Sequence, residues 1–123
     1  MRERIALHRE ERGAEFTTFE EPLAVAELIE REGGRFDAMV VDCLTLWVSN
    51  AMFTDAAPRE FLEAAAAAPA RVILVTNEVG CGIVPENALS REFRDRAGRL
   101  NQRAAETAVE VYWMVFGVPL RVK

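Results

Sequence analysis

The chain has 123 residues, a formal net charge of −5 and an apolar half, the size and balance of one ordinary soluble domain that buries a core without disulfides or metals. That acidic balance gives no surface suited to nucleic acid or an anionic membrane. The basic residues are nearly all arginine, and the single lysine is Lys123.

Cys43 and Cys81 are the two cysteines. Neither sits in a C-x-x-C pair, and one histidine does not complete a zinc site with them. They read as two buried thiols in a reducing compartment. No apolar run approaches the ~18 to 20 residues of a membrane span, and the charged start Met1-Arg2-Glu3-Arg4 is not a signal peptide. A cytoplasmic location is expected.

Arg2 to Arg12 predicts a short polar helix stopped near Gly13, and Phe16 to Phe19 a short strand. Pro22 opens a helix to Glu32 with Leu23, Ala26, Leu28 and Ile29 on its apolar face, and Gly33-Gly34 stops it. The run Ala38 to Val41, ending in Asp42, predicts a strand covered on both faces. Helices follow over Leu44 to Phe53 and from Pro58 to about Ala68, then a second buried strand over Arg71 to Thr76. A Gly- and Pro-punctuated loop spans Asn77 to Asn87. Ala88 to Thr107 is a long amphipathic helix with Leu89, Phe93, Ala97, Leu100 and Ala104 in its stripe. Val109 to Phe116 predicts a third apolar strand, Gly117-Val118-Pro119 a break, and Leu120 to Val122 a short edge strand.

Strands alternating with helices predict a single α/β domain over 1–123 with a mostly parallel sheet and helices on both faces. Ligands bind such sheets outside the carboxyl ends of the strands, where Asp42, Asn77 and Glu78 fall. An apolar strand ending in Asp42 has the form of a Walker-B acid, which holds Mg²⁺ directly or through water. The alternative is an aspartate that merely caps the next turn. A Walker-B acid needs a phosphate loop, G-x-x-x-x-G-K-[ST], and the 123 residues contain none.

His8 is flanked by Arg4, Arg9 and Arg12. On a helix, positions 4, 8 and 12 share one face and position 9 lies beside it. Guanidinium groups so placed attract a polyphosphate and favour the neutral, nucleophilic imidazole. A solvated helix with an incidental histidine is the plainer reading.

The motifs Arg4-Ile5-x-x-His8-Arg9-x-x-Arg12, Thr18-x-Glu20-Glu21-Pro22 and Val41-Asp42-Cys43-Leu44-Thr45-Leu46-Trp47-x-x-Asn50 follow one another along the chain. After them come Val75-Thr76-Asn77-Glu78-Val79-Gly80-x-Gly82-Ile83-Val84-Pro85-Glu86-Asn87 and Phe93-Arg94-Asp95-x-Ala97-Gly98-x-x-Asn101-Gln102. The series resembles the bifunctional adenosylcobinamide kinase/adenosylcobinamide-phosphate guanylyltransferase family over nearly the whole chain. The resemblance implies a RecA-like P-loop NTPase fold lacking its first strand and phosphate loop, so that these residues form the C-terminal part of the domain. That loop, G-G-x-R-S-G-K-S in the family, lies upstream of the histidine.

The resemblance also implies chemistry. His8 falls on the histidine that accepts GMP from GTP. Arg9, Glu10, Glu11, Arg12 and Glu20 fall on nucleotide contacts, and Asp42 on the strand-end acid that binds nucleotide and Mg²⁺. The substrates implied are GTP or ATP and adenosylcobinamide or its phosphate, with neither nucleic acid nor membrane as partner, in a homo-oligomer of the cytoplasm. Asn77, Glu78, Asn87, Arg94 and Asn101 lie in matching motifs, with loop-holding roles as the alternative to function. These 123 residues on their own are expected to be inactive as a kinase, and loss of a strand is expected to expose sheet edges and favour self-association. Two other readings remain open at this point: a shortened non-catalytic relative that binds a partner or corrinoid, and a generic P-loop ATPase fragment.

Overall fold

The computed structural model describes residues 13, 15–55 and 58–123. The helix expected over Arg2 to Arg12, with His8, Arg9, Glu10, Glu11 and Arg12, lies outside these residues. The described elements run α1 (Val25–Glu32), β1 (Ala38–Asp42), α2 (Leu44–Ala51), α3 (Pro58–Ala67), β2 (Arg71–Val75), α4 (Ala88–Thr107), β3 (Tyr112–Val115) and β4 (Val118–Arg121), with 3-10 turns at Gly33–Arg35 and Val79–Cys81. The molecule is α/β, with a parallel sheet and helices.

Helical spacing builds the core. Val25 and Ile29 of α1, Leu44, Trp47, Val48 and Ala51 of α2, Phe61, Leu62 and Ala64 of α3, and Ala97 and Leu100 of α4 bury together. The rings of Trp47 and Phe61 lie 5.5 Å apart, tilted by 31°, an aromatic pair at the centre of the helical layer. Of the stripe expected on α4, Leu89 stays exposed, because it lies in the first turn beyond the reach of the core. Glu32 is the buried charge among the described residues. Arg31 (2.9 Å) and Arg35 pair with its carboxylate and hold it below the usual carboxylate range against the opposing effect of burial.

β1 and β2 pair in parallel, from Ala38 opposite Arg71 to Asp42 opposite Val75. Met39, Val41, Val72 and Leu74 pack on the helical core. The alternate residues Val40, Ile73 and Val75 are exposed. The expectation of strands covered on both faces is therefore corrected among the described residues: a continuous apolar run makes burial of both faces favourable, but helices cover only one.

The third strand departs further. β3 leaves the parallel sheet and pairs antiparallel with β4, Tyr112 opposite Arg121 and Val115 opposite Val118. The two-residue turn between them has Phe116 at φ 51° and Gly117 at φ 77°, the left-handed pair that suits the twist of a hairpin. Pro119 fits β4 as an edge-strand residue. Exposed Phe116 makes no packing that offsets its left-handed backbone, so Phe116→Asn is expected to stabilise the fold by about 1 kcal/mol, read as a higher denaturant midpoint.

Two smaller expectations are also corrected. Phe16 to Phe19 forms no ladder; instead Phe19 packs edge-on against Phe36, with ring centroids 6.0 Å apart. Cys43 is only half-buried, and Cys81 is exposed because its 3-10 turn lies in the surface loop after β2. Lys123 donates from Nζ to Ala105 O (2.9 Å) and Glu106 O (3.0 Å), a cation on the carbonyl end of α4. Glu110 ties the hairpin to β2 by pairing with Arg71 and Arg121, each at 3.5 Å.

Candidate functional site

β1 runs through the sheet and stops at Asp42, where its carboxyl end meets the start of α2. A groove of about 460 Å³ opens there, lined by Glu20, Glu21, Pro22, Val25, Val41, Asp42, Cys43, Leu46, Trp47 and Asn50. The chain thus brings Glu20 and Asp42, distant in sequence, to the walls of one groove. Another groove of similar size, between α1 and α3, gathers Glu30, Glu60 and Glu63 with alanines and holds none of the residues expected to do chemistry.

Asp42 does not cap the helix that follows. The N-cap position belongs to Cys43, which makes no side-chain cap bond, and no hydrogen bond or ion pair within the described structure engages the Asp42 carboxylate. The turn-capping alternative is thereby set aside. An exposed carboxylate at the end of a parallel strand, uncommitted to the fold, is available to a cation or a ligand.

The opposite wall is fastened to α2. Trp47 Nε1 donates to Leu23 O (3.0 Å) and Asn50 Nδ2 to Pro22 O (3.2 Å). These bonds seat the segment carrying Glu20 and Glu21 over the helix. Glu21 accepts from Leu23 N–H (3.0 Å) and Ala24 N–H (2.8 Å). Those two backbone donors, Leu23 first, hold its carboxyl below the ordinary value, with help from the Arg31 charge. A depressed carboxylate contributes stability above its unfolded pKa, ~4.3, and that contribution disappears as pH falls through the folded value. Glu21→Gln is accordingly expected to melt slightly below the wild type at pH 7, with the gap closing below about pH 4. A gap of constant size across that range would show that the charge is irrelevant.

The sequence missed the groove's apolar floor. Cys43, Leu46, Trp47 and Asn50 recur at i, i+3, i+4 and i+7, one helical face, and that spacing was the signal available. It also left open whether the matched asparagines and arginine hold the loop after β2. They do. Asn77 donates to Thr45 Oγ1 from its backbone N (3.1 Å) and from Nδ2 (3.0 Å). Asn101 accepts from the Thr76 hydroxyl (2.7 Å) and donates to Asn77 O (3.2 Å). Arg94 donates to Gly80 O (2.7 Å), and Arg91 to Pro85 O (3.0 Å) and Glu86 O (2.5 Å). Asn87 caps α4 by accepting from Ser90 N–H at 3.1 Å. Glu78 makes no such tie.

The arrangement is that of an α/β domain with a carboxylate-walled groove at the carboxyl end of a parallel strand, the place where such sheets take their ligands. The family described as cobinamide kinase / cobinamide phosphate guanyltransferase matches residues 1–122, and the chain belongs to that family. It is 42% identical to the bifunctional adenosylcobalamin biosynthesis protein CobP of Pseudomonas aeruginosa, over all of this chain and 75% of that protein. It is 39% and 37% identical to the bifunctional adenosylcobalamin biosynthesis proteins CobU of Salmonella typhimurium and Escherichia coli, over all of this chain and 78% of each.

Proposed function

We propose that these residues belong to the kinase and guanylyltransferase of adenosylcobinamide in cobalamin biosynthesis and that, in an enzyme that also carries the family's phosphate loop, His8 is the covalent acceptor of GMP; the 123 residues alone are expected to be inactive as a kinase. In the transfer, an imidazole nitrogen of His8 attacks the α-phosphorus of GTP. The P–O bond to the β-phosphate breaks and pyrophosphate leaves. A phosphate oxygen of adenosylcobinamide phosphate then attacks the same phosphorus, the P–N bond breaks, and adenosylcobinamide-GDP departs with His8 regenerated. Splitting the transfer in this way replaces one difficult step with two easier ones. In the kinase reaction, the aminopropanol hydroxyl of adenosylcobinamide takes a phosphoryl group from ATP or GTP.

The uncommitted Asp42 in the same groove as Glu20 supports the reading most directly. Oxygen donors of this kind fit Mg²⁺, which binds through one or two carboxylates together with substrate phosphates. Asp42 would hold it directly or through water, and the ion would offset charge on the leaving pyrophosphate. Arg9, Glu10, Glu11 and Arg12, which follow His8, are assigned with Glu20 to nucleotide binding. The parallel pair β1–β2 is read as two strands of a RecA-like P-loop NTPase sheet, in a homo-oligomer of the cytoplasm.

The test is incubation of the chain joined to the family's upstream phosphate-loop segment with α-labelled GTP and Mg²⁺, beside the 123 residues alone, which are expected to label far more slowly. The expected result is a protein-bound label that is stable in alkali and lost in acid, as a phosphoramidate is. An alkali-labile, acid-stable label would point to a hydroxyl acceptor and overturn the assignment.

A further inference from the structure

No bond among the described residues orients the Asp42 carboxylate, so its place in the groove depends on the backbone that carries it. On the β1 side that backbone is fixed by the ladder opposite Val75. On the α2 side it passes through Cys43 into the first helical turn, and a clasp from the neighbouring strand meets it there. Just past Val75, Asn77 donates to Thr45 Oγ1 from its backbone N (3.1 Å) and from Nδ2 (3.0 Å). The same Nδ2 lies 4.0 Å from Cys43 Sγ, and Cys43 lines the groove beside Asp42.

The clasp is braced in turn from α4, where Asn101 accepts from the Thr76 hydroxyl and donates to Asn77 O. Three elements therefore converge on the turn that follows the acid. The bonds root the loop after β2, and they also fix the direction in which β1 ends. Phosphoryl chemistry is mostly positioning and charge stabilisation, and a displacement of about 1 Å in a reacting group costs ~10² in rate. A carboxylate without partners of its own has only this turn to hold it in register.

We propose that Asn77, through Thr45, is a positioning residue for the Asp42 carboxylate. The proposal rests on the functional reading above, in which Asp42 serves Mg²⁺ and nucleotide. Its test is a double-mutant cycle on the chain joined to the family's upstream phosphate-loop segment. One readout is the rate of guanylyl labelling at saturating GTP. The other is the affinity for Mn²⁺ alone, from the electron paramagnetic resonance signal of the free ion. Asn77→Ala and Thr45→Val are each expected to lower both readouts by roughly ten- to hundredfold. Thr45→Val, which removes the acceptor of both bonds, has the larger effect, and Thr45→Ser, which keeps the hydroxyl, recovers most of the loss. On an Asp42→Asn background, the changes at 45 and 77 are expected to lower neither readout further. Asn77 is exposed, so its truncation opens no cavity in the core. Equal losses with and without the Asp42 carboxylate, or Asn77→Ala at the wild-type level, overturn the proposal and leave Asn77 a loop anchor only. A wild type that binds Mn²⁺ but never labels removes the guanylyl acceptor, and the Mn²⁺ cycle then decides the clasp by itself. If the wild type labels without binding Mn²⁺ alone, the labelling cycle decides it. A wild type that does neither overturns both readings.

Discussion

In an enzyme that also carries the family's phosphate loop, replacing His8 with alanine is expected to abolish the covalent guanylyl label completely. A P–N bond to GMP requires a nitrogen nucleophile, an imidazole or an amine, and His8 is the single histidine in the chain. On the proposed function, the cations of Arg4, Arg9 and Arg12 would attract the triphosphate. Alanine removes the nucleophile and leaves those cations in place, so GTP binding should persist while labelling stops. A parallel binding measurement with GTP checks that the loss is one of chemistry. A label that survives in His8→Ala, with the same acid lability, would place the acceptor elsewhere.

The second large effect is expected from Asp42→Asn. The substitution preserves size and removes a charge that the fold does not use: Asp42 caps no helix, and Cys43 holds the cap position. Thermal stability should therefore be nearly unchanged. The rate of His8 labelling should fall by about 10²- to 10³-fold, the usual cost of losing one charge-stabilising group at a phosphoryl centre. The loss should appear in the rate at saturating GTP and be partly relieved at high Mg²⁺ if the carboxylate recruits the ion. A large drop in melting temperature with labelling intact would make Asp42 a structural residue after all.

What could be read from the sequence depended on which interactions are local. α4 is legible to its terminal residues because its apolar stripe is a local, helical repeat. β1 and β2 were legible as apolar runs, and Asp42 as the acid that ends one. β3 was legible as a strand but not as a hairpin partner. An unbroken apolar run carries no alternation to distinguish parallel from antiparallel pairing, and an aromatic residue at positive φ in the turn gives no conventional hairpin signal. The site divided in the same way. Glu20 and Asp42 were named from motifs, but their convergence on one groove is a product of the Trp47 and Asn50 bonds to the Leu23 and Pro22 carbonyls. Nothing in a one-dimensional pattern specifies a side chain meeting a carbonyl more than twenty residues away. The tie from Asn101 to the loop, 24 residues back in sequence, was hidden for the same reason.

The two tryptophans occupy opposite environments: Trp47 is 4% exposed and Trp113 is 54% exposed. One indole lies against Phe61 in the helical core, and the other faces solvent on the hairpin. An aqueous quencher such as iodide will silence the second and spare the first, splitting the emission into two optical channels. Subtracting a quenched spectrum from an unquenched one then isolates the hairpin. Melting followed in both channels reports whether β3–β4 detaches before the core opens or departs with it, without any label being introduced.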